Sequence, residues 1–580
     1  MSGPSFPTRP RLRPSLVRLS FLFLATLPLA LPCLAASRPP VRASNGMAVT
    51  PDEQATRAAL DVLRAGGNAV DAAVATAFAL AVALPHAGNL GGGGLLLYRS
   101  AESGVAALDF RETAPAALRP ELFLDEDGRA VPERSRRGGL AVGVPGTVAG
   151  LAEAHRRWGR LPWAALLAPA LRLADEGSVV SPWLAGVFAE SGTPLVEDSA
   201  ARAIFAPSGI LPQAGSRIVQ RDLAATLRRI AEQGAAGFYR GSTADAIVDS
   251  VRAAGGALDA ADLARYTPLL RTPLEGTYRG YRVVSFPPPS SGGIGLLQML
   301  GMLERFDLSR SGAGSSMTVH LMAEVERRFH ADRARWLGDP AFFAVPQTGL
   351  LDPAYLAKRA ASILLDRATP SAQVDPGHPP QPQPGETLHF SIADRWGGAV
   401  ALTTTLNGAF GCGRVAAGTG VLLNNQIDDF ALAPGSPNLW GLTGDEANRV
   451  APDKRPLSSM SPTIVELPER GPRPALVLGS PGGSHITTSV LQVLVNVIDH
   501  GMGLQEAVDY PRFHHPWLPD AITHETNAFP ADVARALEVR GHRLQPARQP
   551  LGNVNAIGID GSGRWTGAAD PRREGSAGGY

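Results

Sequence analysis

This 580-residue sequence contains little cysteine and no marked excess of charge of either sign. It contains two cysteines, Cys33 and Cys412, and its 54 basic and 53 acidic residues leave a formal net charge of +1. A balanced charge gives no reason to expect an anionic polymer as a partner, which argues against nucleic acid binding. A hydrophobic fraction of 44% is ordinary for a globular protein, and the length permits a large core.

The N-terminus has the three parts of a secretory signal. A basic stretch within residues 9–18 precedes an apolar run over residues 19–34 and the small residues 35–37. We therefore expect residues 1–36 to be a signal peptide that is removed, leaving a periplasmic or secreted protein without a stable membrane span. A membrane anchor is the alternative, but two prolines interrupt a run barely long enough to span a bilayer. Removal leaves Cys412 alone, so packing rather than an internal disulfide must stabilise the fold.

Apolar residues recur at helical spacing over much of the first half of the chain. Residues 53–84 fit two packed helices, and a glycine-rich turn then leads to a strand over residues 95–98. A second strand, over residues 105–110, places Arg111 at its end. The chain beyond is mostly helical by pattern, with a strand-like stretch near residues 282–286.

A segment rich in proline and glutamine, residues 375–385, lacks any apolar period, so we expect it to be exposed and mobile. Strand patterns begin directly after it, where Leu388, Phe390 and Ile392 alternate with polar residues such as His389. Further patterns predict strands over residues 399–405, 420–424, 463–466 and 475–478, and a helix capped by Ser484 that runs to residue 497. Strands gathered after helices indicate a layered α/β architecture.

Thr387 stands at the head of the first of these strands, directly after the proline-rich segment. Such a threonine is ordinarily a β-branched residue with good strand propensity and no further role. If the bond between Glu386 and Thr387 were cut, Thr387 would carry both a nucleophilic hydroxyl and a free α-amine. The pKa of such an amine is about 8, which suits general-base catalysis at neutral pH. One residue would then supply the nucleophile and the base.

A glycine-rich turn over residues 479–484 offers a place to stabilise an oxyanion. The turn lies between a predicted strand and a predicted helix, where backbone N–H groups converge and the helix dipole favours negative charge. The alternative is a turn whose glycines serve only its backbone dihedral angles. The Gly-x-Ser-x-Gly pattern of a nucleophile elbow is absent from this turn.

The chain carries a series of short motifs, at residues 67–73, 89–94, 109–112, 386–391, 404–407, 423–430, 455–462, 479–484, 513–515 and 570–572. Their order and spacing resemble the successive signatures of gamma-glutamyltransferases, over essentially the whole mature chain. The resemblance implies the four-layer αββα sandwich of N-terminal-nucleophile hydrolases, made as one precursor. It also implies cleavage into a large chain, residues 37–386, and a small catalytic chain, residues 387–580, that associate as a heterodimer.

The resemblance assigns roles to individual residues. In catalysis, these are Thr387 as nucleophile, Thr405 as its hydrogen-bond partner, and Gly482 and Gly483 as the oxyanion-hole amides. In substrate binding, they are Arg111, Ser458 and Ser459 for the α-carboxylate, Asp429 and Gln426 for the α-amine, Asn407 as a further contact, and Trp440 as the gate of a lid. A guanidinium fork suits a carboxylate, and an ammonium needs an anionic or carbonyl acceptor. Singly, Arg111 could instead form a structural ion pair and Asp429 could be a turn residue.

The activity implied is transfer of the γ-glutamyl group of glutathione or a related compound to water, an amino acid or a peptide. No cofactor or metal is expected, because His514 and His515 lack a second ligand cluster and should pack as core residues. One alternative is a cephalosporin or glutaryl acylase of the same fold, against which Asp429 and Gln426 argue. Another is an unprocessed, inactive secreted binding protein.

Overall fold

The computed structural model describes residues 37–100, 102–377, 379, 389–467 and 473–580. The predicted signal peptide, most of the proline-rich segment, and the predicted cleavage site at Glu386 and Thr387 lie outside these described residues. The predictions made for them therefore stay predictions.

The strands of the described residues divide mainly between two seven-stranded antiparallel sheets. In chain order they are Val41–Ala43 (β1), Met47–Thr50 (β2), Gly93–Ser100 (β3), Gly104–Phe110 (β4), Ser178–Val179 (β5), Arg217–Ile218 (β6), Leu269–Arg271 (β7), Leu274–Tyr278 (β8), Tyr281–Ser285 (β9), Phe390–Ala393 (β10), Ala399–Thr405 (β11), Val415–Ala416 (β12), Val421–Leu422 (β13), Thr463–Glu466 (β14), Leu476–Gly479 (β15), Phe513–His514 (β16), Ile522–His524 (β17), Leu544–Pro546 (β18), Asn555–Ile559 (β19), Trp565–Ala568 (β20) and Ser576–Gly579 (β21).

Each large sheet mixes strands that precede residue 387 with strands that follow it. The first sheet has the order β1-β20-β19-β15-β14-β9-β8, and the second has the order β21-β2-β10-β11-β3-β4-β7. In the second sheet, β10 lies between β2 and β11, so that Ser391 faces Val49 on one side and Ala401 on the other. The two halves of the sequence are therefore interleaved strand by strand.

Helices cover both outer faces of this pair of sheets. In chain order they are Glu53–Arg64 (α1), Ala69–Ala83 (α2), Glu133–Arg136 (α3), Thr147–Trp158 (α4), Trp163–Glu176 (α5), Pro182–Ser191 (α6), Thr193–Glu197 (α7), Ser199–Phe205 (α8), Arg221–Gln233 (α9), Ala236–Tyr239 (α10), Gly241–Ala253 (α11), Ala260–Arg265 (α12), Ser291–Leu303 (α13), Leu308–Ser311 (α14), Ser316–Trp336 (α15), Gln347–Leu350 (α16), Pro353–Ala361 (α17), Ile486–Ile498 (α18), Leu504–Asp509 (α19) and Ala531–Val539 (α20). Within the described ranges, no helix has the length and apolar character needed to cross a membrane.

Three apolar clusters define four layers. Between the sheets, buried side chains from both inner faces pack together, including Leu97, Val477 and Trp565. On the outer face of the second sheet, α2 packs against β10 and β11, and on that of the first sheet α13 and α18 pack against β9 and β15. The order helix, sheet, sheet, helix agrees with the layered α/β architecture expected from the sequence.

Helix α2 shows how local sequence sets one of these layers. Asn68 accepts a hydrogen bond from the Asp71 backbone at 2.9 Å, and Asp71 accepts one from the Asn68 backbone at 3.0 Å, which completes a capping box. The helix is rich in alanine, the best helix former, and all of its residues are buried. Small side chains allow it to lie close to the sheet and to α5 at once.

Most of the predicted elements are confirmed, and two details are wrong. Ser484 does not cap a helix: it lies in the 3-10 turn Gly483–His485, and α18 begins at Ile486. The strand predicted over residues 420–424 is only Val421–Leu422 long. Both faces of β10 are buried: the first sheet covers its polar side, where the Ser391 hydroxyl donates to the carbonyl oxygen of Val477 at 3.1 Å.

Candidate active site

A cavity of about 670 Å³ opens where the loop after β11, the turn after β15 and the segment before β19 meet. Six of the residues singled out from the sequence line it: Thr405, Asn407, Asp429, Trp440, Gly482 and Gly483. Four more, Arg111, Gln426, Ser458 and Ser459, are buried and do not line it. The structure thus brings these ten residues to one region, six of them at the wall of the cavity and four of them away from it.

Arg111 and Asp429 form a buried ion pair beside the cavity. Strand β4 ends at Phe110, as predicted, and delivers Arg111 into the interior with no exposed surface. Arg111 Nη2 donates to Asp429 Oδ2 at 2.6 Å, and Gln426 Nε2 donates to the same oxygen at 2.6 Å. The sequence suggested these three side chains for one ligand, and the structure shows that they also contact one another.

Two polar atoms of this cluster have no hydrogen-bond partner among the described residues. They are the donor Arg111 Nη1 and the acceptor Gln426 Oε1, and both are buried. Nη1 lies 3.8 Å from Glu112 Oε2, beyond hydrogen-bond distance. Because an unpaired buried polar atom costs about 1–3 kcal/mol, a group that satisfies one or both of these atoms would be bound favourably.

Burial perturbs the two carboxyl groups that flank Arg111. It raises the pKa of Asp429 above its ordinary value, although the guanidinium of Arg111 opposes the shift. It likewise raises the pKa of Glu112 to about 7, again against the attraction of Arg111. Perturbed carboxyl groups of this kind concentrate at functional sites, although structural ion pairs produce them too.

The segment that contains Ser458 and Ser459 runs alongside Arg111. The carbonyl oxygens of Pro456 and Leu457 each accept a hydrogen bond from the Arg111 guanidinium at 3.3 Å. Asn448, which the sequence did not reveal, ties this segment to the Asp429 turn. Its Nδ2 donates to the carbonyl oxygen of Asp429 at 2.7 Å, and its Oδ1 accepts from the Leu457 backbone at 3.1 Å.

The glycine turn after β15 takes a backbone shape that only glycine adopts readily. Gly482 has a φ of 132° and Gly483 a φ of 57°. A Cβ atom on Gly483 would lie 2.5 Å from the indole carbon Cε3 of Trp440. The indole therefore covers this turn at van der Waals distance, so the turn meets the aromatic residue expected to be a gate.

The loop that carries Trp440 is held over the site by hydrogen bonds from three consecutive residues, Asn438, Leu439 and Trp440. Trp440 Nε1 donates to Asn407 Oδ1 at 2.6 Å, and the Leu439 backbone donates to Asp428 Oδ2 at 2.7 Å. Asn438 Nδ2 donates to Asp429 Oδ1 at 3.1 Å. Asn438 and Asp428 were not singled out from the sequence, and no local signal distinguishes them. These hydrogen bonds hold the loop against the cavity, and one of them uses the Asp429 carboxylate.

The histidines that invited a metal interpretation contact protein groups instead. His514 Nδ1 lies 3.1 Å from the Thr488 hydroxyl, and the His515 backbone donates to Glu326 at 2.7 Å. Among the described residues, one group of three possible ligands comes together, and its members are His320, Glu324 and His542. Glu324 already pairs with Arg327 and Arg328, whose positive charges oppose a dication. We assign no metal to it.

The fold and the cavity place the molecule in a class of layered α/β enzymes that includes acylases. The structure is similar to the crystal structure of cephalosporin acylase from Bacillus halodurans, with a TM-score of 0.83 and 30% sequence identity. The similarity covers 95% of this chain and 99% of that one.

Sequence comparison defines the family more narrowly. The model of the gamma-glutamyltranspeptidase family matches residues 55–580, and the chain belongs to that family. It is 45% identical over 534 residues to the glutathione hydrolase proenzyme of Escherichia coli K12, covering 92% of this chain and 91% of that protein. It is 42% identical to the crystal structure of the Helicobacter pylori gamma-glutamyltranspeptidase, with a TM-score of 0.55 over 56% of this chain and 94% of that one. The resemblance found in the motifs is confirmed.

Proposed function

We propose that this protein cleaves the γ-glutamyl amide of glutathione and related compounds and passes the γ-glutamyl group to water, an amino acid or a peptide. The name of the Escherichia coli relative, glutathione hydrolase proenzyme, supports both the substrate and the need for processing. No cofactor enters the proposal. A periplasmic or secreted location follows from the predicted signal at residues 1–36.

The observation that carries this proposal is the buried cluster of Arg111, Asp429 and Gln426. A γ-glutamyl group ends in an α-carboxylate and an α-ammonium, which need a cationic donor and an anionic or carbonyl acceptor. Arg111 Nη1 is an unused donor, and Gln426 Oε1 is an unused acceptor. Arg111 Nη2 and Asp429 Oδ2 form an ion pair with each other at 2.6 Å. The α-carboxylate of the donor would bind Arg111, and its α-ammonium would bind Asp429. Ser458 and Ser459 would add hydroxyl donors to the carboxylate.

The described part of β10 supports Thr387 as the nucleophile. Phe390 faces Leu402 in the antiparallel pairing of β10 with β11, so the first described strand after Thr387 lies beside the strand that ends at Thr405. The ring of His389 lies against Gly479, since a Cβ there would be 2.4 Å from its Nδ1. Thr387 stands two residues before His389 in the sequence. The nucleophile would therefore lie near the glycine turn and the cavity.

In the proposed reaction, the Thr387 hydroxyl attacks the γ-carbonyl carbon while the α-amine of Thr387 takes the hydroxyl proton. The backbone N–H groups of Gly482 and Gly483 stabilise the oxyanion, and removal of one such donor typically costs about 10²–10³ in kcat. The intermediate collapses when the amine of the substrate takes this proton from the α-amino group of Thr387 and departs. The product is a γ-glutamyl ester of Thr387. Water or an acceptor amine then attacks the ester and regenerates the hydroxyl.

Thr405 and Asn407 complete the proposed site. The Thr405 hydroxyl accepts from the Asn407 backbone at 2.7 Å, which leaves its own proton available for the nucleophile. Asn407 holds the indole of Trp440, so the lid closes over the same loop that would contact the substrate. A closed lid excludes water from the acyl-enzyme.

The first experiment is the intact mass, under denaturing conditions, of the purified wild type and of two variants. We expect the wild type to give two fragments that meet between Glu386 and Thr387. Thr387→Ala should remain one chain, whereas Thr387→Ser keeps a hydroxyl and should still be cut. A wild type that remains uncut and fails to release anilide from a γ-glutamyl anilide would refute the proposal and favour an inactive binding protein.

A glutaryl or cephalosporin acylase is the second candidate, because a cephalosporin acylase has a closely similar fold. Such substrates carry the acyl chain without an α-amine, so they leave an anionic acceptor unused. Asp429 and Gln426 are both present and hydrogen-bonded to each other, which favours a γ-glutamyl donor. Preference of the processed protein for glutaryl over γ-glutamyl anilide would reverse this choice.

A further inference from the structure

A buried hydroxyl is hydrogen-bonded to the peptide group that enters the glycine turn. Ser480 follows the last residue of β15 and has no exposed surface. Its Oγ donates to the carbonyl oxygen of Pro481 at 2.8 Å and accepts from the backbone N–H of Asn553 at 2.9 Å. The hydroxyl therefore joins the main chain at Pro481 to the main chain at Asn553, 72 residues further along the sequence.

The position of this hydroxyl follows from the register of the sheet. Gly479 faces Asn555 in the pairing of β15 with β19, so the same register would bring Pro481 opposite Asn553. Proline has no N–H, and the ladder cannot continue through it. The Ser480 hydroxyl stands between the Asn553 N–H and the Pro481 carbonyl, where a direct ladder bond would otherwise run.

This arrangement bears on the oxyanion donor because a peptide group is planar. The Pro481 carbonyl and the Gly482 N–H belong to one peptide unit and point in opposite directions. A hydrogen bond that holds the carbonyl therefore also aims the N–H. Gly482 has a φ of 132°, and neither it nor Gly483 has a side chain that could hold the peptide in place.

The anchor at the other end of the bridge is rigid. The backbone of Val554 donates to Asp570 Oδ2 at 2.8 Å, and Asp570 pairs with Arg512 at 2.7 Å. Although burial opposes its ionisation, Arg512 and Arg572 hold the pKa of Asp570 below its ordinary value. Gly552, with a φ of 74°, allows the chain to approach, since a Cβ there would lie 2.7 Å from the Ser480 hydroxyl oxygen.

We propose that Ser480 is a positioning residue for catalysis, whose hydroxyl orients the Pro481–Gly482 peptide so that the Gly482 N–H points at the developing oxyanion. The inference rests on the proposed acyl transfer and on Gly482 as an oxyanion donor. Ser480 itself does not touch the substrate. Its loss should weaken the transition state without weakening the binding of the donor's charged end, which lies at Arg111 and Asp429.

The test compares Ser480→Ala with the matched control Ser489→Ala. Ser489 is equally buried and lies beside Gly552, but its hydroxyl points to the Leu551 carbonyl at 3.5 Å and does not contact Pro481. Loss of a whole oxyanion donor costs about 10²–10³ in kcat, so a misaligned donor should cost about 10–100-fold. We expect that loss for Ser480→Ala on a γ-glutamyl anilide with KM changed less than about 2-fold, and near wild-type values for Ser489→Ala.

A second readout separates positioning from general damage. A γ-boronic acid analogue of glutamate forms a tetrahedral adduct with a hydroxyl nucleophile, whereas glutamate itself binds without one. Ser480→Ala should weaken inhibition by the boronate in parallel with kcat and leave inhibition by glutamate unchanged. Equal weakening of both inhibitors, an unchanged kcat, or the same loss in Ser489→Ala would overturn the proposal.

Wild-type activity is measured first, because its absence would defeat the proposed function rather than the role of Ser480. If Ser480→Ala is not processed, Ser480→Cys takes its place, since a thiol is a weaker donor of similar shape. We then expect a reduced kcat at constant KM. A Ser480→Cys variant with the kcat of the wild type would overturn the inference.

Discussion

Substitution of Asp429 by asparagine tests the recognition of the γ-glutamyl group most directly. The change removes one negative charge from the buried cluster and nearly keeps the shape of the side chain. The donor's α-ammonium would lose its anionic acceptor, while an amide oxygen could still accept a neutral hydrogen bond. A glutaryl amide has no α-amine and would lose nothing at this position. We therefore expect Asp429→Asn to reduce the preference for γ-glutamyl over glutaryl substrates.

The size of the effect follows from the difference between two kinds of hydrogen bond. A bond to a charged group contributes about 1.5–3 kcal/mol, and a neutral bond contributes about 0.5–1.5 kcal/mol. The expected loss of about 1–2 kcal/mol corresponds to a fall of about 5- to 30-fold in the ratio of the two kcat/KM values. Removing the carboxylate that is hydrogen-bonded to buried Arg111 also destabilises the fold by up to about 3–5 kcal/mol. That cost applies to both substrates, so it cancels in the ratio.

The assay is kcat/KM for γ-glutamyl anilide and glutaryl anilide, measured on the wild type, Asp429→Asn and Asp428→Asn. Asp428 is a matched control because it is adjacent and buried, but its carboxylate accepts from Ser135 at 2.7 Å and from Arg136 at 3.1 Å rather than from Arg111. Its substitution should loosen the lid and leave the ratio unchanged. If Asp429→Asn lowered both activities by the same factor, Asp429 would only support Arg111. The idea that Asp429 binds the α-ammonium of the donor would then be refuted.

Three further outcomes are expected. Trp440→Phe removes one hydrogen bond to Asn407, worth about 0.5–1.5 kcal/mol, so the ratio of hydrolysis to transfer should rise about 2- to 12-fold with a dipeptide acceptor; an unchanged ratio would show that the lid does not exclude water. Burial raises the pKa of Asp429, so lowering the pH neutralises this carboxylate and the donor KM should rise on acidification. The Asp429→Asn variant should lack this rise. If the variant still shows the rise, Glu112 is responsible. Arg573 lines the cavity near Trp183 and forms no ion pair with any described residue, so Arg573→Ala should raise the KM for glutathione, which ends in a carboxylate, about 2- to 5-fold and leave that for γ-glutamyl anilide unchanged.

The elements that could be predicted from the sequence are those specified by local patterns. The alternation of residues before Arg111 predicts a strand, and β4 ends at Phe110 as expected. Strand β11 has the predicted bounds, Ala399–Thr405. Ser484 shows where local patterns mislead. Gly482 and Gly483 adopt positive φ angles and turn the chain tightly, so the helix begins after His485 rather than directly after the serine.

Contacts between distant parts of the chain could not be read from patterns. The motifs single out Arg111 and Asp429 separately, but these residues are 318 positions apart, and their pairing depends on the order of strands in the sheets. The hydrogen bond from Asn438 to Asp429 spans only nine residues, but no local pattern predicts it, because it depends on how the loop folds back over the Asp429 turn. The burial of both faces of β10 follows from its place between α2 on one face and strands β15 and β19 of the first sheet on the other.

The interleaving of strands has a consequence for how the molecule could ever be taken apart. If the bond before Thr387 is cut, the two products are not neighbouring domains, because each contributes strands to both large sheets. In the second sheet, β10 is hydrogen-bonded to β2 of the other polypeptide, and β21 borders the opposite edge of β2. Separation would have to break both sheets at once, so neither polypeptide should fold when it is produced alone. Refolding of the processed protein would become a bimolecular reaction that slows on dilution, whereas the uncut precursor would refold at a rate independent of concentration.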